Sequence, residues 1–481
     1  MKIKNFQSQV CVCAASTNLT GAKSCAEMEK NMEKQLKIAI IGAGSSQFSG
    51  GIIRDICVTP RLHGVKIALM DVDEKRLQFI FAMGKKLAGE LDAKIDFEMT
   101  LSREKALQGA DFVINTAQDG GHSWATEMQM MARRHGYQDG AMLSLVYNGA
   151  FLLDVAKDVE RICPEAYLIQ SANPVFEGCT AITRSTKVKT IGLCHGHYGY
   201  RDIAKVLGLD LKDVTAKMCG FNHWIFMTDF RYKGEDAYPL IDRWIKEESE
   251  EYWKKPRKYS DQQMSRAAIH QYKMFGLMPI GDTPRMMDFP TMYGWMYNES
   301  LDAKKYFYSQ QGGFDSDEGW GQYLEDLNEN LRKIQEAALN PEKKVTEVFE
   351  PKQSDEQIVP IIESLVYNIP RVYQVNIPNK GQLVEGFPED IVVECEALIS
   401  GAGIQGIRNR RLPSRVMAGA MNPRFAQCEL VCEALLSGEK EAYKLAVLYD
   451  HYTKNEAQAE RMLEEWFSHP KNVAVNKLIK K

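Results

Sequence analysis

The sequence lacks any apolar run long enough to cross a bilayer, and it lacks an excess of charge of either sign. A membrane-spanning helix needs roughly 18–20 consecutive apolar residues. The 60 basic and 64 acidic side chains leave a formal net charge of −4, whereas nucleic-acid-binding proteins carry clustered excess Lys and Arg. We therefore expect no membrane and no nucleic acid among the partners of this chain.

The sequence also lacks the even number of closely spaced cysteines that is typical of a small disulfide-rich domain. Its 11 cysteines are scattered over 481 residues, without a CxxC pair. Such usage is typical of a reducing compartment, so we expect a cytoplasmic protein with free thiols. The apolar stretch at residues 10–15 is shorter than the roughly 7–15 residues of a secretory signal core. We expect residues 1–34 to form a disordered extension, with a start at Met28 or Met32 as an alternative.

Strand and helix patterns alternate over residues 35–200. Short apolar strand-like runs occur at residues 37–41, 65–70, 95–99, 111–115, 167–170 and 188–193. Strands joined by crossover helices form a mostly parallel sheet that is covered on both faces. The sequence predicts an α/β fold: an N-terminal Rossmann-like, doubly wound parallel sheet at 35–200, then an α+β substrate-binding and oligomerisation domain at 201–481. Residues 212–234 are predicted to form long antiparallel strands.

A glycine-rich turn follows the first predicted strand. Gly42 and Gly44 allow a tight turn and close approach of a pyrophosphate, which would lie at the N-terminus of the next helix. The third glycine position of the dinucleotide fingerprint holds Gln47. Asp71 ends the second strand, where a carboxylate would bind a ribose and favour NAD+. We predict that NAD+ is bound by Gly42, Gly44, Ser45, Ser46, Asp71 and Asn115, although Asn115 taken alone is equally typical of a turn.

Two further segments combine metal-binding side chains. They are Cys194-His195-Gly196-His197 and Gly220-Phe221-Asn222-His223. Thiolate and imidazole are good ligands for a first-row transition metal. The spacing is not that of a zinc finger. The spacing alone is also compatible with Cys and His side chains that pack in the core or cap a helix instead of binding a metal.

Several segments together resemble glycoside hydrolase family 4, the NAD- and manganese-dependent glycosidases. The resemblance covers about residues 36–470 and rests on the segments 38–48, 173–174, 194–197, 220–223, 279–283 and 376–381. It implies a Rossmann domain with an α+β substrate domain, a small-molecule carbohydrate substrate, and a homodimer or homotetramer. It also implies that NAD+ and Mn²⁺, or another divalent transition metal, are the cofactors.

The resemblance assigns roles to individual residues. Cys194 and His223 match the metal ligands, while Asn173, His195 and Asn222 match positions near the sugar. Asp139 matches the acid that protonates the leaving group, and Asp282 matches the base, with Tyr272 as the reserve candidate. Asp139 and Asp282 also stand in ordinary turn sequences, which is the alternative for both.

The implied reaction is redox-neutral. Hydride leaves C3 of the sugar, the C2 proton becomes acidic and is removed by the base, and the glycosidic oxygen departs with help from the acid. Water then adds and the hydride returns. This route departs from the paired-carboxylate scheme of most glycosidases.

The segment Cys194–His197 also carries subgroup information. Its Cys-His-Gly-X pattern resembles α-glucuronidases, with α-galacturonidase, α-galactosidase and α-glucosidase as alternatives within the family. A glucuronide carries a C5 carboxylate, for which His197 and Arg285 are the candidate partners. A hydroxy-acid dehydrogenase of the malate or lactate type, or an inactive NAD-sensing protein, is the alternative of another class. Residues 391–398 are predicted to be packed secondary structure rather than part of a site.

Overall fold

The computed structural model describes residues 35–137, 141–255, 263–291 and 294–480. Its strands are β1 Lys37–Ile41, β2 Lys66–Met70, β3 Asp96–Thr100, β4 Phe112–Asn115, β5 Tyr167–Gln170, β6 Lys189–Gly192, β7 Val214–Phe221, β8 Trp224–Tyr232, β9 Glu235–Asp236, β10 Pro279–Ile280, β11 Pro290–Thr291, β12 Gly294–Trp295, β13 Arg371–Pro378, β14 Val392–Ser400 and β15 Gly403–Gly406.

The first six strands form a parallel sheet in the order β6-β5-β4-β1-β2-β3. They match the predicted runs to within one or two residues at each end. Except in the edge strand β3, their residues are mostly buried on both faces, as expected when helices cover a parallel sheet on either side. The α/β Rossmann-like prediction is confirmed.

Helices flank this parallel part. They are α1 Ser49–Cys57, α2 Glu74–Glu90, α3 Arg103–Leu107, α4 Gly121–Arg134, α5 Ala141–Ile162 and α6 Val175–Ser185. Helix α5 packs against β1, β2 and β4 in a core that includes Ala39, Ala68, Val113 and Val155. The cluster is apolar throughout, so burial of this face stabilises the crossovers by the hydrophobic effect.

Antiparallel strands extend the same sheet beyond β6, in the order β6-β13-β14-β7-β8-β10. The predicted long strands at 212–234 are the β7–β8 hairpin. β13 runs antiparallel to β6, with Asn376 opposite Gly192, so its first residues continue past the C-terminal end of β6. The segment that follows β6 therefore lies beside residues from β7, β13 and β14.

The remaining helices are α7 Gly199–Val206, α8 Tyr238–Glu247, α9 Ser249–Lys254, α10 Arg266–Phe275, α11 Thr283–Met286, α12 Leu301–Phe307, α13 Asp317–Leu339, α14 Ile358–Tyr367, α15 Ser414–Val416, α16 Asn422–Ser437, α17 Lys440–Leu448, α18 Glu456–Ser468 and α19 Val473–Leu478. Among the helices of the described residues, none has the length and apolar character needed to span a membrane.

Candidate active site

The glycine turn joins β1 to its neighbours at the C-terminal edge of the sheet. Gly42 has φ +84°, and a Cβ on it would lie 2.6 Å from the Cα of Ala117. The amide of Gly44 donates to Oδ2 of Asp71 at 2.8 Å. The structure therefore brings the glycine turn and Asp71 together, as a dinucleotide site requires.

The two serines of this turn differ in their contacts. Oγ of Ser45 accepts from the amides of Gln47 and Phe48, at 3.2 and 3.3 Å, where α1 begins. Ser46 donates its hydroxyl to the carbonyl of Leu327 at 3.2 Å. Ser45 thus stabilises the helix N-terminus, and Ser46 ties the turn to α13.

Asn115 has a structural role instead of the predicted cofactor contact. It is completely buried. Its Nδ2 donates to Oε1 of Gln170 at 3.0 Å, and its Oδ1 accepts from the amide of Ala117. These contacts agree with the alternative that Asn115 is a turn residue, and the structure does not support a contact between its side chain and a ribose.

Cys194 lies in the segment that follows β6. Its Sγ accepts from the amide of Gly196 at 3.4 Å. Burial raises the pKa of the thiol, the nearby carboxylates of Glu394 and Asp282 raise it further, and the Asn222 amide lowers it. A buried thiol of this kind needs a cation beside it to become a thiolate.

The Cys194 segment packs tightly on the segment that carries Asp282. Gly281 has φ +65°, and a Cβ on it would lie 2.7 Å from the Cα of Gly196. Only glycine allows two backbones to approach this closely. The sequence Gly-Asp at 281–282 is therefore more than an ordinary turn, because it places Asp282 next to Cys194.

His223 lies at the tip of the β7–β8 hairpin, in a left-handed conformation with φ +61°. Non-glycine residues rarely adopt this region, and such strain concentrates at functional sites. Its Nε2 lies 3.3 Å from Oδ2 of Asp282, and burial lowers its pKa. The predicted metal ligands and the predicted base thus meet in one site.

Arg285 holds Asp282 from the other side. Its Nε lies 3.1 Å from Oδ1 of Asp282, and its Nη1 lies 2.8 Å from Oδ1 of Asp315. Burial opposes ionisation of Asp282, but Arg285 and His223 outweigh it and hold the pKa of this carboxyl well below its usual range. Asp282 is therefore ionised at neutral pH. Arg285 thus forms ion pairs with both Asp282 and Asp315.

Glu394 is a buried acid that the sequence prediction for residues 391–398 missed. Its Oε2 accepts from Nδ2 of Asn222 at 3.0 Å and from Nδ2 of Asn376 at 3.4 Å. Oε1 is buried without a hydrogen-bond partner among the described residues. Burial raises its pKa to about 7. The sequence signal that could have identified Glu394 is a carboxyl group within an otherwise apolar strand, since such a group is costly to bury unless it is paired.

The other predicted site residues divide into two groups. Asn173 is exposed, and the side chain of His195 is 61% exposed with Nδ1 at 3.7 Å from Oε1 of Glu356. His197 is buried, contacts the carbonyl of Cys194 through Nδ1 at 3.0 Å, and has its pKa lowered by burial to about 4. Its ring is therefore neutral, and its Nδ1 is already used by a backbone carbonyl.

Of the two remaining candidates for acid–base catalysis, the structure describes Tyr272. Tyr272 donates to Oδ1 of Asp242 at 2.9 Å and stacks on Tyr238. Burial raises its pKa, and the bonded Asp242 raises it further, so its phenol is a poor base. Asp282 therefore stays the predicted base, ahead of the reserve candidate. Asp139, the predicted acid, lies outside the described residues.

Two family models match consecutive parts of the chain. Residues 37–209 match the family 4 glycosyl hydrolases, and residues 218–453 match the family 4 glycosyl hydrolase C-terminal domain. An α-galactosidase of Bacillus subtilis is 28% identical over 87% of this chain and 94% of the relative. An α-galacturonidase of Thermoanaerobacter italicus is 24% identical over 90% of this chain and 96% of the relative.

Solved structures share the fold. A putative glucosidase of Bacillus subtilis superposes with a TM-score of 0.72 at 22% identity, covering 90% of this chain and 99% of that chain. A 6-phospho-α-glucosidase from gut microorganisms, crystallised with NAD and Mn²⁺, superposes with a TM-score of 0.72 at 16% identity, covering 92% and 98%. At these identities the likeness establishes the architecture.

Proposed function

We propose, from the premise that this chain belongs to glycoside hydrolase family 4, that it hydrolyses the α-glycosidic bonds of D-glucuronides. The general activity in this proposal, hydrolysis of an α-glycosidic bond in a carbohydrate, is supported by relatives named α-galactosidase, α-glucosidase and α-galacturonidase. The observation that carries the proposal is that His223 and Asp282 lie close to Cys194, the first residue of the Cys-His-Gly-X segment.

The donor set fits a divalent transition metal. Cys194 and His223 supply sulfur and nitrogen, which such ions accept. The described residues contain no group of three His, Cys, Asp or Glu side chains that would enclose an ion. Two protein ligands leave positions open for substrate oxygens, as a catalytic site requires. We propose that Cys194 and His223 hold Mn²⁺ or a similar ion.

The glycine turn fits a dinucleotide. Gly42 and Gly44 form the tight turn that leads to α1, and amides at the start of such a helix bind a pyrophosphate. Asp71 lies at the same turn and is the acceptor for a ribose hydroxyl. Solved relatives in complex with NAD support NAD+ as the occupant.

Bound NAD+ and metal supply reversible hydride transfer and electrophilic stabilisation of sugar oxygens. The chain supplies the proton transfers. Asp282 is ionised and accepts the C2 proton, and Arg285 fixes its orientation. Asn173, exposed in the segment that follows β5, binds sugar hydroxyls. Asp139 donates a proton to the departing glycosidic oxygen.

The C5 carboxylate of a glucuronide needs a cationic or hydrogen-bonding partner. His197 already uses its Nδ1 on the carbonyl of Cys194, so we assign this role to Arg285. Nε and Nη1 of Arg285 are bonded to Asp282 and Asp315, but Nη2 makes no hydrogen bond to the residues that the structure describes. We propose that Nη2 donates to the substrate carboxylate.

A panel of aryl α-glycosides tests this function. With NAD+, Mn²⁺ and a reducing agent, we expect the α-D-glucuronide to be hydrolysed with a kcat/KM at least about tenfold above the galacturonide, galactoside and glucoside. In D₂O the released sugar should carry deuterium at C2. Absence of deuterium would refute C2 deprotonation by Asp282. Preference for another glycone would refute the glucuronide assignment and indicate the subgroup that acts on that glycone. Steady NADH accumulation with a hydroxy acid would favour the dehydrogenase alternative.

Gly42→Ala tests the dinucleotide site. The new methyl group would lie 2.6 Å from backbone atoms of Ala117, so β1 and β4 must separate or the turn must move. We expect the affinity for NAD+ to fall more than about tenfold by fluorescence titration. Gly109→Ala is the matched control, because Gly109 also has positive φ but has open space around it. Equal NAD+ affinity in both variants would contradict the assignment.

The same proposal includes three features of the whole protein. They are a boundary between an NAD-binding domain at 35–200 and a substrate-binding domain at 201–481, a cytoplasmic location, and a homodimeric or homotetrameric assembly. Size-exclusion chromatography with light scattering measures the last of these.

A further inference from the structure

A cavity of about 400 Å³ lies beside the segment that follows Cys194. One wall is formed by residues 197–200, a second by residues 354–357 before α14, and the floor by β7, β13 and β14. We call it the acidic cavity, because Asp355, Glu356 and Glu396 line it. None of the roles assigned above uses it.

The acidic cavity lies next to the active site on the same face of the sheet. Gln374 of β13 lies opposite Glu396 of β14, and the next pair on the same face is Asn376 with Glu394. The first pair lines the cavity, whereas the second lies beneath Asn222 and Cys194. The cavity therefore begins one residue pair away from the row beneath Cys194.

His197 and His195 connect the two regions at the other wall. His197 lines the cavity, and its Nδ1 contacts the carbonyl of Cys194 at 3.0 Å. It is 5% exposed, and its Nε2 has no hydrogen-bond partner within the described ranges. His195 reaches from this segment toward Glu356, with Nδ1 at 3.7 Å from Oε1.

The lining offers hydrogen-bond acceptors that the protein does not use. The Glu356 carboxylate makes only the 3.7 Å contact with His195, and the Glu396 carboxylate makes only a 3.7 Å contact with Lys217, among the residues described. No lysine or arginine is among the described lining residues. Such a surface accepts hydrogen bonds from hydroxyl groups and repels anions.

Aromatic rings complete the lining and are held in place before any ligand binds. The hydroxyl of Tyr198 donates to the carbonyl of Asp355. The guanidinium of Arg201 lies 4.1 Å from the centre of the Tyr198 ring, and its Nη1 lies 2.7 Å from Oδ2 of Asp355. Tyr200 lines the same cavity. Rigid rings next to carboxyl groups suit a molecule with an apolar face and many hydroxyls.

We propose that the acidic cavity is the subsite for the leaving group, and that it binds a neutral sugar. This inference rests on the proposed glycosidase function and extends it to the other side of the scissile bond. The glycone occupies the site of Cys194, His223 and Asp282. Its C5 carboxylate is repelled by Glu356 and Glu396 and attracted to Arg285, so the cavity is left for the group attached at C1.

The test compares two substrates with the same glycone, an aryl α-glycoside and a disaccharide with a neutral second sugar. For Glu356→Ala and Glu396→Ala we expect kcat/KM to fall about 10- to 100-fold further on the disaccharide than on the aryl glycoside. This factor corresponds to the loss of a hydrogen bond to a charged group. Glu329→Ala, at an exposed ion pair with Arg332 on α13, is the matched control and should change neither value.

A binding measurement complements the kinetics. Saturation-transfer NMR with free D-xylose as the probe should show contacts with the wild-type protein that weaken in both variants, whereas free D-glucuronate should keep its contacts. Equal losses on the two substrates, with unchanged xylose contacts, would overturn the proposal. A change in glycone preference instead would place the cavity on the glycone side. The comparison uses whichever glycone is hydrolysed, so failure of the glucuronide assignment does not affect it.

Discussion

Replacement of Cys194 by serine is expected to lower kcat at least about 1000-fold while the chain stays folded. Sulfur is a stronger ligand than a hydroxyl for a transition metal, and only the thiolate carries a negative charge at neutral pH. The serine side chain is nearly isosteric, and the hydrogen bond from Gly196 to Sγ is a weak one at 3.4 Å. The loss should therefore appear in metal retention and turnover rather than in folding.

Three measurements separate these effects. Metal analysis after gel filtration should show loss of Mn²⁺, circular dichroism should be unchanged, and NAD+ should still bind at the glycine turn. Cys163→Ser is the matched control, since Cys163 is also buried and its pKa is raised by burial to about 11, but it lies beside α5 in the core of the parallel sheet. Metal retention by Cys194→Ser, or equal loss in the control, would contradict the assignment.

The second large effect is on stability. Glu177 of α6 and Arg424 of α16 form an ion pair through Oε1 and Nη2, and both side chains are almost completely buried. We expect Glu177→Leu to destabilise the protein by about 3–5 kcal/mol, because Arg424 would remain buried without its counter-charge. Urea unfolding followed by tryptophan fluorescence measures this change.

The pair is also placed to position the active site. The guanidinium of Arg424 lies 5.1 Å from the ring centre of Phe176 and 5.5 Å from that of Trp224, the residue after His223. It thus connects the helices that cover the parallel sheet with the hairpin that carries a proposed metal ligand. Loss of the pair should lower metal affinity together with stability.

A double variant tests the physical cause. Glu177→Leu combined with Arg424→Met removes both charges, and we expect it to recover most of the stability that the single variant loses. Glu329→Leu, which breaks the exposed pair with Arg332, should leave the urea midpoint unchanged. If the double variant is as unstable as the single one, shape rather than charge explains the loss.

Local patterns were sufficient to predict much of this protein. The parallel strands end where the apolar runs end, because a strand buried on both faces needs a continuous apolar sequence. The order of the short motifs identified the family and with it Cys194, His223 and Asp282. Those three residues do lie together, although no local pattern shows that Nε2 of His223 is 3.3 Å from Asp282.

Three predicted site residues have other contacts or surroundings in the structure, for the same reason. Asn115 and Tyr272 have side chains that could act in a site, but Gln170 and Asp242 already bond them. His197 could carry charge in solution, but burial keeps it neutral. Residue type states what a side chain can do, whereas its partners and its burial decide what it does.

The sequence by itself determined the α/β architecture, the glycine turn and the family, because periodicity and short motifs depend on neighbours along the chain. The tertiary structure alone decided which groups meet. It placed Glu394 beneath Asn222, bound Arg285 between two carboxylates, and opened the acidic cavity between residues far apart in sequence. Hydrogen bonding, desolvation and charge pairing act through space, and the folding of the sheet brings those residues into range.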